Sequence, residues 1–142
     1  MFKKTITFVD YDGVERTEDF YFNLNRAEVV MLEASMNGGI SKFLEKAVAE
    51  KNAKAIMEAF KNILRTAYGV KSNDGRRFMK SDEISRDFEE TTAYEELFML
   101  LVTDPDEAGR FIKAVMPDMS KDADKLKALE AKYPNGTIPF NK

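Results

Sequence analysis

The chain opens with two runs of alternating side chains joined by D-Y-D-G, and this pattern constrains the rest of the fold more than any other feature. Along Lys3 to Asp10 and the Phe2 before it, alternation sets Phe2, Ile6 and Phe8 on one face and Thr5, Thr7 and Val9 on the other. Val14 to Leu24 likewise gathers Phe20, Phe22 and Leu24. Gly13 is the residue that most easily takes a left-handed backbone, so the turn suits a three-residue hairpin loop with a glycine bulge. In that register Phe2 faces Phe22 and Phe8 faces Arg16. A two-residue Asp12-Gly13 turn is the competing register. A lone hairpin is marginal in water, so its aromatic face must be covered by helices or by another chain.

The sequence then turns helical. Asn25 and Glu28 have the spacing of a capping box, and the helix they open, through Val29, Val30, Leu32 and Glu33, runs to the break at Met36 to Gly39. Ile40, Phe43, Leu44, Ala47 and Val48 recur at helical spacing, as do Ile56, Phe60, Ile63, Leu64 and Ala67, after which Gly69 is placed to end the helix in a left-handed cap. Ser81 followed by Asp82 and Glu83 reads as another helix start. Thr92 with Glu95 reads as a second capping box, and Asp104-Pro105-Asp106-Glu107 as a third start, for a helix that carries Phe111 and stops before Pro117. Beyond it, Ser120 to Tyr133 is rich in lysine and offers a thin apolar stripe. A short, peripheral or partly disordered last helix and a loose tail are expected there. The predicted fold is α+β, an N-terminal β-hairpin followed by a mainly α-helical bundle of about six helices. The expected division is a hairpin-plus-helices domain over 1–117 and a peripheral segment over 118–142.

Composition removes most catalytic classes. Among 142 residues there is no cysteine and no histidine, which excludes disulfides, thiol nucleophiles, Ser-His or Cys-His dyads and the usual zinc sites. Acids outnumber bases, 25 to 22, so a globally basic nucleic-acid binder is disfavoured. The N-terminus lacks a signal peptide's apolar core, and no window approaches the roughly 18 consecutive apolar residues of a membrane span. The expectation is a soluble intracellular protein. Eleven Phe and eight Met, with no Trp, give an apolar inventory that can fill a core or repack against varied partners.

Local motifs add little chemistry. Tyr68 to Ser81, Y-G-V-K-S-N-D-G-R-R-F-M-K-S, holds two glycines among four cations, but Gly69 and Gly75 lack the spacing of a phosphate loop and Arg76-Arg77-Phe78 replaces its Lys-Ser ending. Lys71, Arg76, Arg77 and Lys80 with Phe78 sketch a single-stranded nucleic-acid platform, yet one aromatic is fewer than such platforms use. A solvated connector, its arginines paired with nearby acids, fits better. Adjacent glutamates at Glu89-Glu90 and Glu95-Glu96 point about 100° apart on a helix and do not converge as an acid/base couple. Asp10, Asp12 and Gly13 read as a turn, since the closing glutamate of a calcium loop is missing. The run Tyr94, Leu97, Phe98, Met99, Leu100, Leu101 and Val102 covers more than one helix face, so that helix is either buried on several sides or part of it is an interface.

Three long segments carry a resemblance: Tyr11 to Leu24 (Y-D-G-V-E-R-T-E-D-F-Y-F-N-L), Ala67 to Ser81, and Thr91 to Leu101 (T-T-A-Y-E-E-L-F-M-L-L). Their wording and order resemble the tail assembly chaperones of long-tailed phages and prophages of Gram-positive bacteria, over Lys4 to about Met116. The resemblance implies a non-enzymatic role without cofactors. In it, the chaperone coats the long apolar tape measure protein and keeps it soluble in the host cytoplasm, until tail tube subunits polymerise around it. Relatives are typically absent from the finished particle. Many also exist in a longer form made by ribosomal frameshifting, whose extension recruits tube subunits, and the region from Ser120 to Lys142 is then where a linker would begin. Self-association is expected, and neither membrane nor nucleic acid is. Helix faces bearing Phe and Met suit varied helical clients, and the partner surface is expected at Phe88, Tyr94, Phe98, Phe111 and Met116. The rival readings are a small nucleic-acid-binding regulator and a structural tail component.

Overall fold

A computed structural model describes residues 1–36 and 39–133; the expected loose tail beyond Tyr133, and the centre of the break at Met36 to Gly39, lie outside the described residues. The elements follow the order β1 (Phe2–Val9), β2 (Glu15–Phe22), α1 (Arg26–Ala34), α2 (Gly39–Ala49), α3 (Ala53–Ala67), β3 (Tyr68–Lys71), β4 (Phe78–Met79), α4 (Asp82–Glu89), α5 (Thr92–Thr103), α6 (Pro105–Val115) and α7 (Ala123–Lys132). The fold is α+β, and the seventh described helix is the short peripheral one. The chain divides into two compact units. The first takes residues 1–23 and 60–115, the second residues 24–59 and 116–142, so that α3 contributes its C-terminal half to the first and its N-terminal half to the second.

The first unit is built on the hairpin. β1 and β2 pair antiparallel from Phe2↔Phe22 to Val9↔Glu15, with Phe8 opposite Arg16, so the three-residue loop Tyr11-Asp12-Gly13 prevails over the two-residue turn. Two local devices select it. Gly13 adopts φ +81°, and the Asp10 carboxylate accepts from the amides of Asp12 and Val14, each at 2.9 Å, and from Arg16 Nε at 2.6 Å. These donors, the Arg16 guanidinium first, hold the Asp10 carboxyl below the usual carboxylate range.

The sheet is larger than a hairpin. β2 pairs antiparallel with β3 (Tyr21↔Gly69, Phe22↔Tyr68) and β3 with β4 (Val70↔Met79, Lys71↔Phe78), giving the order β1-β2-β3-β4. The segment expected to be a solvated connector is therefore the second hairpin of the sheet. Gly69 is not a helix cap either: it lies within β3, and a Cβ there would stand 2.7 Å from the Phe78 ring and 2.9 Å from the Met79 carbonyl oxygen. It is glycine because the Phe78 ring crosses it. Gly75, at φ +74°, makes the turn, with Asp74 Oδ1 accepting from Ser72 Oγ and the Arg76 amide.

Helices α5 and α6 pack on β1 and on each other, and α4 packs against α5 and β3. α4 starts as expected, with Ser81 Oγ accepting from the Ile84 amide, and α6 likewise, with Asp104 Oδ1 accepting from the amides of Asp106 and Glu107. α5 starts one residue earlier than the sequence suggested: Thr91 is its cap, accepting from the Tyr94 amide, while the Thr92 hydroxyl donates to the Val9 carbonyl of β1 at 2.7 Å. Arg65, on α3, bridges both ends of α4 by pairing with Asp82 and Glu89.

The second unit has the expected capping box at Asn25, and α1 packs against α2. Its buried side chains include Val29, Leu32, Met36, Ile40 and Ala47, whereas Val48, expected on that stripe, faces solvent. Glu33 is also buried, its carboxylate accepting from the Ile40 amide at 3.1 Å near the start of α2. Burial pushes this carboxyl above the usual range, against the smaller opposing pull of that amide. Arg26 Nη1 donates to both carboxylate oxygens of Asp122, just ahead of α7. None of α7's own residues is buried.

Candidate partner-binding surface

Nine aromatic residues of the first unit form one connected series. Phe22, on β2, sits at its centre with no exposed surface, its ring centroid 5.4 Å from Phe111, 5.7 Å from Phe88 and 5.7 Å from Tyr68. Edge-to-face and offset ring pairs at such separations each add about 0.5–1.5 kcal/mol beyond the area they bury. Phe111 continues to Phe2 at 5.7 Å, and Phe88 stacks on Tyr68 at 4.3 Å and 15°. On the other side the series leaves the core. Phe88 meets Tyr94 edge-on at 5.4 Å, and Tyr94 stacks with Phe98 at 5.9 Å and 22° on successive turns of α5.

Four of the five expected partner residues therefore belong to one assembly, but they occupy different depths. Phe88 and Phe111 are 3% and 2% exposed, and in the folded unit neither ring lies at the surface. They face the β2 aromatics, which the apolar periodicity of α4 and α6 is equally able to specify. Tyr94 and Phe98 are half-buried and form the outer end of the series. Met116 is also half-buried and belongs to the second unit. Met99, part of the apolar run but not among the five expected partner residues, is 52% exposed on the same helix as Phe98, between the core positions Leu97 and Leu101. Burial pushes the Tyr94 hydroxyl above its ordinary range, helped by the negative charge of Glu89, so it stays a neutral donor.

The basic segment has a different environment. The expected arginine–acid pairs do not form among the described residues: Arg77 Nη2 lies 3.6 Å from Met79 Sδ, and the Asp74 carboxylate is held within its own turn. Lys80 Nζ donates to the Asn23 carbonyl at 2.6 Å and lies 5.4 Å from the centre of the Phe78 ring. That ring packs on Gly69, so it is not presented as a stacking platform. Among the described residues no cluster of three or more acids is arranged to hold a metal ion, and no helix is long and apolar enough to cross a membrane.

Comparison with protein families matches phage tail assembly chaperones over residues 1–138, nearly the whole chain. The chain belongs to the phage tail assembly chaperone family. No curated protein and no solved structure matches it. The outer aromatics of α5 are backed ring against ring by the core.

Proposed function

We propose that this tail assembly chaperone binds the tape measure protein through the Tyr94–Phe98 face of α5, keeps it soluble, and yields it to the growing tail tube. The observation that carries the reading is the outward run of the aromatic series, in which a half-exposed stacked pair rests on buried Phe88, with Met99 exposed next to Phe98 in the chain. Rings fixed from behind lose little side-chain freedom on binding, and methionine adapts to varied apolar helices. Many weak contacts along a long client give holding strength without slow release. The role is non-enzymatic. It places the chain in the host cytoplasm, self-associated and absent from the finished particle, with tube subunits reached through a longer frameshifted form.

Co-expression with the tape measure protein encoded beside it tests the reading. Soluble co-elution is expected, and Tyr94→Ala with Phe98→Asp is expected to abolish it while leaving the circular dichroism of the free chain unchanged. A charge at Phe111 is unsuitable for this purpose, because that ring is buried and its loss reports on folding. A tape measure protein that precipitates equally with and without the chain overturns the proposal.

A further inference from the structure

β1 is an edge strand of eight residues, and its free side is open. Asp10 and Val14 are opposite in the hairpin register, and the Asp10 amide donates to the Val14 carbonyl at 2.9 Å. The hydrogen-bonded pairs with β2 therefore fall on the even-numbered residues of β1, and the odd-numbered ones turn their N–H and C=O groups outward. Of these, the Val9 carbonyl is taken by Thr92. The backbone groups of Lys3, Thr5 and Thr7 have no hydrogen-bond partner among the described residues. A cavity of about 220 Å3 runs along them, lined by Lys4, Thr5, Ile6 and Thr7 on the strand and by Leu97 and Leu100 on α5, so the helix does not seal the edge. The strand contains no proline and its register no bulge, two of the features that blunt an edge; its edge charges are confined to Lys3 and Lys4 at its start.

We infer that β1 pairs antiparallel with β1 of a second copy about a two-fold axis at Thr5, joining two sheets into one. In this register Thr5 faces Thr5 of the second copy and Lys3 faces Thr7, each pair exchanging two main-chain hydrogen bonds, so that the outward groups of Lys3, Thr5 and Thr7 are all used. Neighbouring registers are poorer. An axis at Lys4 sets two lysines directly opposite each other, and an axis at Ile6 requires the Val9 edge, whose carbonyl Thr92 already holds. In the favoured register Lys4 meets Ile6, and its charge is offset within its own chain by Glu107 at 3.9 Å. The occupant is a second copy because strand and edge are self-complementary. The pairing gives a surface to the self-association in the proposed function and rests on that reading.

The chain contains no cysteine, so Thr5→Cys introduces a unique thiol. Opposed Cα atoms in a hydrogen-bonded antiparallel pair are about 5.5 Å apart, within disulfide range. Mild oxidation of full-length Thr5→Cys is expected to give a covalent dimer, and Thr17→Cys on β2 is not. Thr5→Pro removes an outward N–H that β2 does not use, and is expected to convert the dimer to monomer in light scattering with the hairpin intact. A wild-type chain that is monomeric at all concentrations, a dimer unaffected by Thr5→Pro, or a dimer in which Thr5→Cys does not cross-link overturns the inference. None of these outcomes touches the Tyr94–Phe98 surface, which co-elution with the tape measure protein reads separately.

Discussion

The two units solve the same packing problem with different materials. The interior of the first is a lattice of rings on a sheet, centred on Phe22, with no buried carboxylate; that of the second is aliphatic and holds the carboxylate of Glu33. A ring lattice specifies its geometry through shape, since each ring has a few favoured approaches to its neighbours. An aliphatic interior with an ionisable group specifies less by shape and more by capping and charge. The sharpest test is Phe22→Ala, which strips one ring from three partners at once and is expected to cost about 3–5 kcal/mol. Urea unfolding reads it. A cost near that of an exposed aromatic would mean that the lattice does not act as one body.

Smaller perturbations separate shape from capping. Gly69→Ala drives a methyl group into the Phe78 ring and the Met79 carbonyl, and over-packing of this kind costs about 1–3 kcal/mol. The effect should concentrate in the second hairpin, where amide exchange at Val70 and Met79 speeds up. Gly75→Ala meets nothing within 4 Å but must hold φ +74°, so its penalty is conformational. In the second unit the comparable lever is Asn25→Ala, which removes the cap from α1 and is expected to cost about 1 kcal/mol, with exchange rising first at Glu28. Equal exchange changes in both units for either variant would show that they do not open independently.

How legible each region was in the sequence follows from the length of its signals. The first hairpin announced its register because eight-residue strands with a Gly-containing loop leave few alignments, and Asp10 and Gly13 broke the remaining tie through local bonds. The second was hidden. β4 has two residues, too short for any alternation, and Gly69 reads as a helix cap until the Phe78 ring is known to lie across it. The shift of the α5 cap from Thr92 to Thr91 has a similar origin, because two adjacent threonines cap equally well in isolation and only the Val9 carbonyl, remote in sequence, claims the second. For the candidate surface, four of the five residues named from the sequence share one ring cluster, but the sequence did not show the depth of its members. Phe88 and Tyr94 have similar signatures in sequence, and their difference in exposure is decided by the strands and helices packed around them.

The smallest expected effect sets one buried group, Glu33, apart from the other carboxylates by sign rather than size. Asp10 and Asp74, in the first unit, and Asp118, in the second, have carboxyl groups held below the usual range by their donors, so each contributes stability that is lost as pH falls through its depressed folded value. Glu33 is opposite. Its folded value is raised by burial, so its contribution is fully present below the ordinary glutamate value and is lost as pH rises through the raised one. Glu33→Gln retains a carbonyl oxygen for the Ile40 amide and removes the charge, leaving the acceptor satisfied at every pH. The variant is therefore expected to be slightly more stable than the wild type near neutrality. Its advantage should shrink as pH falls through the Glu33 titration, and exchange at Ile40 is the local readout. An advantage that instead grows on acidification would mean that the Glu33 carboxylate, like that of Asp10, is stabilised as an anion.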